Sequence, residues 1–544
     1  VNQIKLKTEE TNDKLRGGYY TPSIITEFMV NQLFKESEFM NILEPSMGDG
    51  RFISTLKALD GNFKVTGIEL FESEYQKVQD KVFNDDRFKL KNEDFYKFYR
   101  ETDSHYDLII GNPPYIRYQL LTAEQREIQS DILEKNGLKA NKLINAWVAF
   151  TVAAIELLVP SGTLAFVLPT DILQVNYAKE LRKLFSSVFT HLTIIQFKET
   201  VFDQLQQDVV IIIGKKKKNF FDDHAISIKN ITSSNDLINI NINDLPVEPS
   251  TVTESLYKND KWNLTLLEEE DRVFYESIKN SDKIIYFNNH IKGEVGITTG
   301  KNSIFSVSNE TVLDYDLSDY TIPLLGRSVE ANGIYYKPED HEMNANNGKN
   351  VNLLDFNNKL LNFGAEKYIE NIEELELHNG YKLSIRNKWY EVPSIWVPDG
   401  FLLRRIGSYP KILLNKTGAT TTDTFHRLTF NSYYDKDLLI FLCYSSITLM
   451  SFELESRIFA GGALEILPGD LKNILIPKPH LEIYFDKNLL SELDNKLRNN
   501  DEIEHVVSWV DNIVIQLCRI SPDTVHNSFC IWKELRENRL NKRK

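Results

Sequence analysis

From about Asn41 to Lys218, short apolar runs alternate with segments whose apolar positions recur at helical spacing: "NILEP", "KVTGIEL", "YDLIIGNPP", "GTLAFVLP", "LTIIQF" and "VVIIIG". Runs of Val, Ile, Leu and Phe without polar alternation predict strands buried on both faces, with crossover helices between them. The pattern reads as an α/β, doubly wound Rossmann-like domain. Past about Phe220 the texture changes to Asn, Ser and Asp with scattered Tyr and Trp, and the strand-helix alternation stops. A mixed α+β domain is expected there. Near the end, "DEIEHVVSWVDNIVIQLCRI" puts Ile503, Val506, Val510, Ile513 and Leu517 on one helical stripe, which predicts a packing helix. The expected division is 1–245, 246–480 and a helical segment, 481–544, packed on the second of these.

Composition narrows the class. With 544 residues and 42% hydrophobic content the chain can fill several cores. No run reaches the roughly 18 apolar residues of a membrane span, and the polar start lacks a cleavable apolar segment, so a cytoplasmic protein without membrane attachment is expected. Cys443, Cys518 and Cys530 lie far apart with no ligand-like spacing, which argues against a disulfide framework and against a required metal. The net charge of −15 excludes indiscriminate binding to nucleic acid but allows a local basic cleft. The run Lys215–Lys218 reads as a solvated strand end.

The strand ends carry the chemistry. "NILEPSMGDGRFI" leaves its strand at Glu44-Pro45, passes Ser46, Gly48 and Gly50, and enters a helix near Arg51. Glycines there let a ligand approach the backbone, whereas the acids repel a pyrophosphate, so a cationic, phosphate-free ligand is expected. Glu69 ends the second strand and suits a ribose diol. Asp94 and Phe95, at a third strand end, offer an acceptor for an exocyclic amino group and a ring for a purine. Together these point to S-adenosylmethionine. In "NPPY", Asn112 brings a carboxamide, Pro113 and Pro114 fix the backbone, and Tyr115 gives a flat base a face to lie on. Acceptors converging on a planar amino group would favour its pyramidal, nucleophilic form in the transition state.

These motifs in this order resemble the gamma-class, TaqI-like DNA adenine-N6 methyltransferases, over residues 15–220 in detail and beyond in layout. The resemblance implies a site-specific enzyme of the type II restriction-modification kind, acting on an adenine flipped out of double-stranded DNA. "GGYYTPSIITEFMV" is similar to the segment that completes the cofactor pocket, with Tyr20 in it and Thr21 matching the methionine-carboxylate contact. "ETVFDQLQQDVVIII" is similar to a late motif whose ring, here Phe202, packs on the flipped base; without the resemblance Phe202 reads as a core residue. The C-terminal half resembles a target-recognition region and gathers Lys301, Arg404, Arg405, Lys411, Lys416, His426 and Arg427 as candidates for DNA contacts. With some twenty residues before "YYTP" and no nuclease motif in view, a stand-alone methyltransferase working beside a separate cognate restriction endonuclease is expected. An RNA adenine methyltransferase and a protein glutamine-amide methyltransferase are the alternatives. Asn rather than Ser at the head of the motif favours adenine over cytosine.

Overall fold

All six apolar runs are strands. The computed structural model describes residues 20–35, 37–140, 144–201, 208–219, 223–258, 261–459, 462–480 and 484–541. In it the runs become β1 (Asn41–Glu44), β2 (Lys64–Glu69), β4 (Tyr106–Gly111), β5 (Leu158–Pro169), β6 (Phe189–Phe197) and β7 (Val209–Lys216). Two further strands, β3 (Phe88–Asn92) and β8 (Ala225–Ile231), complete a sheet of order β3-β2-β1-β4-β5-β7-β6-β8. Both added strands lie at edges. An edge strand is wetted on one side and need not be apolar, and "FKLKN" alternates lysine with Phe and Leu.

Strands β1 to β6 and β8 run parallel, and β7 alone is reversed between β5 and β6. The chain moves outward from β1 to β3 and then crosses back to β4 on the other side of β1. That reversal opens a crevice at the carboxyl ends of β1 and β4, where an open α/β sheet binds its ligand. Ile25, Met29 and Leu56, from helices Ser23–Phe34 and Arg51–Lys57, share one core with Ile42, Ile110 and Val167 of the sheet. Helix Ala146–Glu156 is apolar nearly all round and buried accordingly.

The chain divides into two compact units, Val1–Glu276 and Ser277–Lys544. Residues 246–276, assigned from their texture to the recognition region, pack with the first unit. Glu248 N donates to Ile226 O of β8 at 2.8 Å, Trp262 N to Leu173 O at 2.7 Å, and Gln196 Nε2 to Thr265 O at 2.6 Å. Buried Arg272 and Glu248 form an ion pair in the same segment.

The second unit is α+β. Its main sheet orders the strands Ile291–Val295, Phe425–Phe430, Gly400–Leu403, Ile412–Asn415 and Tyr335–Tyr336. The C-terminal helices Lys487–Arg498, Ile503–Cys518 and Pro522–Asn541 belong to this same unit. The stripe on Ile503–Cys518 is buried as expected at Ile503, Val506, Val510 and Leu517, with Val514 rather than Ile513 completing it. No single described helix is long and apolar enough to cross a membrane.

Candidate active site

The carboxyl ends of β1, β2 and β4, and the turn after β3, line one pocket in the first unit. Glu44, the last residue of β1, is 1% exposed, and its Oε2 makes no hydrogen bond among the described residues. Burial, with Glu69 and Asp49 nearby, pushes its carboxyl well above the usual range; the Ile53 backbone N–H and Lys81 pull the other way and do not offset this.

Glu69 ends β2 and ties it to the glycine turn. Its Oε2 accepts from Gly48 N at 2.8 Å and its Oε1 from Phe71 N at 2.9 Å. Burial raises its pKa, against those backbone donors. Gly48 takes a left-handed φ of +52°, and a side chain there would lie over the Tyr20 ring. Asp94 caps helix Phe95–Glu101, and the Phe95 ring packs at 4.2 Å from Phe150 to form an apolar wall.

At the end of β4, Asn112 Nδ2 donates to Thr21 Oγ1 at 3.2 Å, which aims the carboxamide, and its main-chain carbonyl accepts from Ser46 Oγ at 3.0 Å. One turn thereby joins the "NPPY", "YYTP" and "EPSMGDG" motifs. Tyr20, Thr21, Glu44, Pro45, Ser46, Gly48, Glu69, Asp94, Phe95, Asn112 and Pro114 all line the pocket.

Three of the expected residues do not. Gly50 is needed for packing: it adopts φ +75°, and a Cβ there would meet the Val78 side chain at 2.7 Å. Pro113 is buried beside the cavity. Tyr115 is not the exposed ring its position suggests. It is half-buried against the sheet core, and its hydroxyl, kept neutral by burial, donates to Val167 O at 3.1 Å. Phe202 lies outside the described residues.

The pocket also holds residues that sequence reasoning passed over. Asp49, Glu74 and Glu93 join Glu44, Glu69 and Asp94 in its lining, and Arg51 is the single lining cation. Arg51 Nε pairs with Asp49 at 2.8 Å and Nη1 donates to Thr21 O at 2.9 Å. Its place directly after Gly50, at the first helical position, is the signal that could have marked it. Gln125 reaches the same pocket from helix Ala123–Lys135 and has no such signal.

Comparison with known proteins fits this geometry. Residues 33–202 match the family model of the Eco57I restriction-modification methylase, and residues 259–515 match that of the C-terminal domain of the type II methyltransferase M.Eco57I. The type II methyltransferase M.AccI of Acinetobacter calcoaceticus is 22% identical, over 91% of this chain and 92% of that one. M.BstVI of Geobacillus stearothermophilus is also 22% identical, over 93% of this chain and 97% of its own length. M.HindII of Haemophilus influenzae is 31% identical over a shorter stretch, 39% of this chain and 38% of that one. The chain belongs to the type II restriction-modification methyltransferases. It is a DNA methyltransferase, and S-adenosylmethionine is its cofactor.

The methyltransferase pocket fits that cofactor on its own terms. Six carboxylates against one guanidinium suit a ligand that carries a sulfonium, an ammonium and one carboxylate, a net charge of +1. The Oε2 of buried Glu44, without a hydrogen-bond partner among the described residues, is a group that a cationic ligand would satisfy.

In the second unit, the seven basic candidates do not form one surface. His426 is fully buried with Nε2 against Ile466 O at 2.8 Å. Arg427 is buried as well, donating to Ser394 O at 2.6 Å and stacked 4.4 Å from the Trp396 ring. Both sit on strand Phe425–Phe430 inside the main sheet, where their hydrogen bonds serve the fold, unlike the DNA contacts expected of them. Lys411 Nζ donates to Ser328 O and Ala331 O, Lys301 Nζ to Leu377 O, and Arg404 pairs with Glu465 at 2.8 Å. Arg405, with 76% of its side chain exposed, and Lys416 are the two exposed members, while Lys301, Arg404 and Lys411 are half-buried.

Proposed function

We propose that this methyltransferase acts on the N6 amino group of an adenine flipped out of duplex DNA, as a gamma-class enzyme. The observation that carries the reading is the hydrogen-bonded turn that joins Asn112 of "NPPY" to Thr21 and Ser46 in the cofactor pocket. S-adenosylmethionine, when bound, supplies an electrophilic methyl group on sulfur. Glu44 and its neighbouring acids hold the cationic end, Glu69 takes the ribose, and Asp94 with Phe95 takes the base. Arg51 and Thr21 meet the carboxylate.

Asn112, held by Thr21, accepts a hydrogen bond from the adenine amino group and draws its nitrogen out of the ring plane, an interaction that strengthens only as the new bond forms. Phe202 serves the flipped base, and Arg405 and Lys416 contact the phosphate backbone. The chain works as the modification partner of a cognate restriction endonuclease.

Transfer of labelled methyl groups to duplex DNA, RNA and protein substrates, followed by nucleoside analysis, tests the reading. N6-methyladenine in duplex DNA is expected. N4-methylcytosine, or transfer to RNA or protein alone, would overturn it.

Glu44 makes a prediction of its own. Its raised pKa means that the cofactor-free protein keeps this proton at pH values where a solvated Glu is ionised. A net-positive ligand lowers that pKa, so binding expels the proton and affinity rises with pH until Glu44 ionises unaided. Calorimetry in two buffers of different ionisation enthalpy is expected to show proton release on binding, which Glu44→Gln abolishes while weakening affinity. Undiminished release in the Gln variant would assign the proton elsewhere.

A further inference from the structure

Gln125 is held at both ends of its carboxamide. Thr122 Oγ1 accepts from Gln125 N at 3.2 Å, and Gln125 Oε1 accepts from Thr122 N at 3.0 Å, a reciprocal cap at the start of helix Ala123–Lys135. With Oε1 committed to a backbone donor, Nε2 is turned to Asp94, whose Oδ2 it reaches at 2.7 Å. Asp94 Oδ1 accepts from Tyr96 N at 2.7 Å and Lys97 N at 3.3 Å. Donors on both oxygens stop the carboxylate from rotating. An ionised carboxylate is acceptor-only with about four acceptor positions, so Asp94 still has acceptor capacity for a ligand in the pocket it lines.

We propose that Gln125 is a positioning residue that sets the base selectivity of the cofactor pocket. By fixing Asp94 as an acceptor, it admits a purine with an amino group at C6 and rejects one with a carbonyl there. The proposal rests on the reading that Asp94 meets the cofactor's base. A 6-oxo purine sets its own acceptor against the immobile Asp94 carboxylate, leaving buried polar atoms unpaired, the condition under which sites discriminate most strongly. Once the tether is lost, Asp94 Oδ2 is free to turn away and the penalty relaxes.

The test is calorimetric binding of S-adenosylhomocysteine and S-inosylhomocysteine to the full chain and its variants. The unaltered protein is expected to prefer the adenine ligand by about 100-fold. Gln125→Met keeps the helix former but not the donor, and is expected to lower the ratio to about 10-fold or less. Gln125→Glu is expected to lose selectivity near neutral pH and to regain it in acid, where a protonated carboxyl can again donate to Asp94. Thr122→Ala controls for weakening of the helix start and is expected to keep most of the ratio. If Gln125→Met retains full selectivity while Asp94→Asn loses it, Gln125 is only a cap and the proposal fails. If Asp94→Asn itself retains full selectivity, the underlying reading of Asp94 fails.

Discussion

Replacing Asn112 with Ala is expected to lower single-turnover methyl transfer by about 100- to 1,000-fold, the loss typical when one preorganised group aimed at a transition state is removed. Cofactor affinity should change by no more than about threefold, because what the pocket loses is one hydrogen bond, 3.2 Å long, to Thr21. The two effects separate because Asn112 is proposed to act on the adenine amino group only as its nitrogen leaves the ring plane, whereas Glu44, Glu69 and Asp94 hold the cofactor in the ground state. The measurement pairs single-turnover rates at saturating cofactor and DNA with equilibrium cofactor binding. A variant with a near-normal rate and greatly weakened cofactor binding would make Asn112 a structural tie to Thr21 and nothing more.

How much of this site was legible beforehand depended on whether a residue's role is local. Glu44, Glu69 and Asn112 stand at strand ends that the apolar runs before them locate, and Asp94 follows the third strand at a helix start, so their convergence follows from the parallel sheet. Gly50 sits in the same motif, but its role is set by Val78, 28 positions later, which no local pattern reveals. Tyr115 directly follows Pro114, which lines the pocket together with Asn112, yet its ring turns into the core to reach Val167. Strand β8 escaped because an edge position relaxes the demand for an apolar run, whereas β3, at the other edge, was expected only from the strand end placed at Asp94 and Phe95. In the second unit, a count of positive charges could not tell the buried His426 and Arg427 from the exposed Arg405 and Lys416, since burial depends on sheet pairing across long separations.

Asp511 lies on the buried face of helix Ile503–Cys518, where the pattern expects an apolar residue. Its Oδ1 accepts from Ser446 N at 2.9 Å, at the start of helix Ser446–Glu455, while Oδ2 is buried without a hydrogen-bond partner among the described residues. Burial pushes its pKa up to about 7, with the Ser446 N–H offsetting part of the shift. Because the folded pKa is raised above the unfolded value, the proton is favoured in the folded state. The cost of ionising Asp511 is absent below about pH 4, grows between about pH 4 and 7, and is constant above. A shift of that size corresponds to a cost on the order of 4 kcal/mol at pH 8. Asp511→Asn keeps an acceptor for Ser446 and removes the charge, but it places an unpaired Nδ2 where Oδ2 was, so the net gain at pH 8 should be about 2 kcal/mol. At pH 4 the gain should vanish or reverse. Chemical denaturation of both proteins at the two pH values measures this directly, since every other titrating group cancels in the difference. An Asn variant whose stability relative to the unaltered protein is the same at pH 4 and pH 8 would show that Asp511 is not the group whose burial is being relieved.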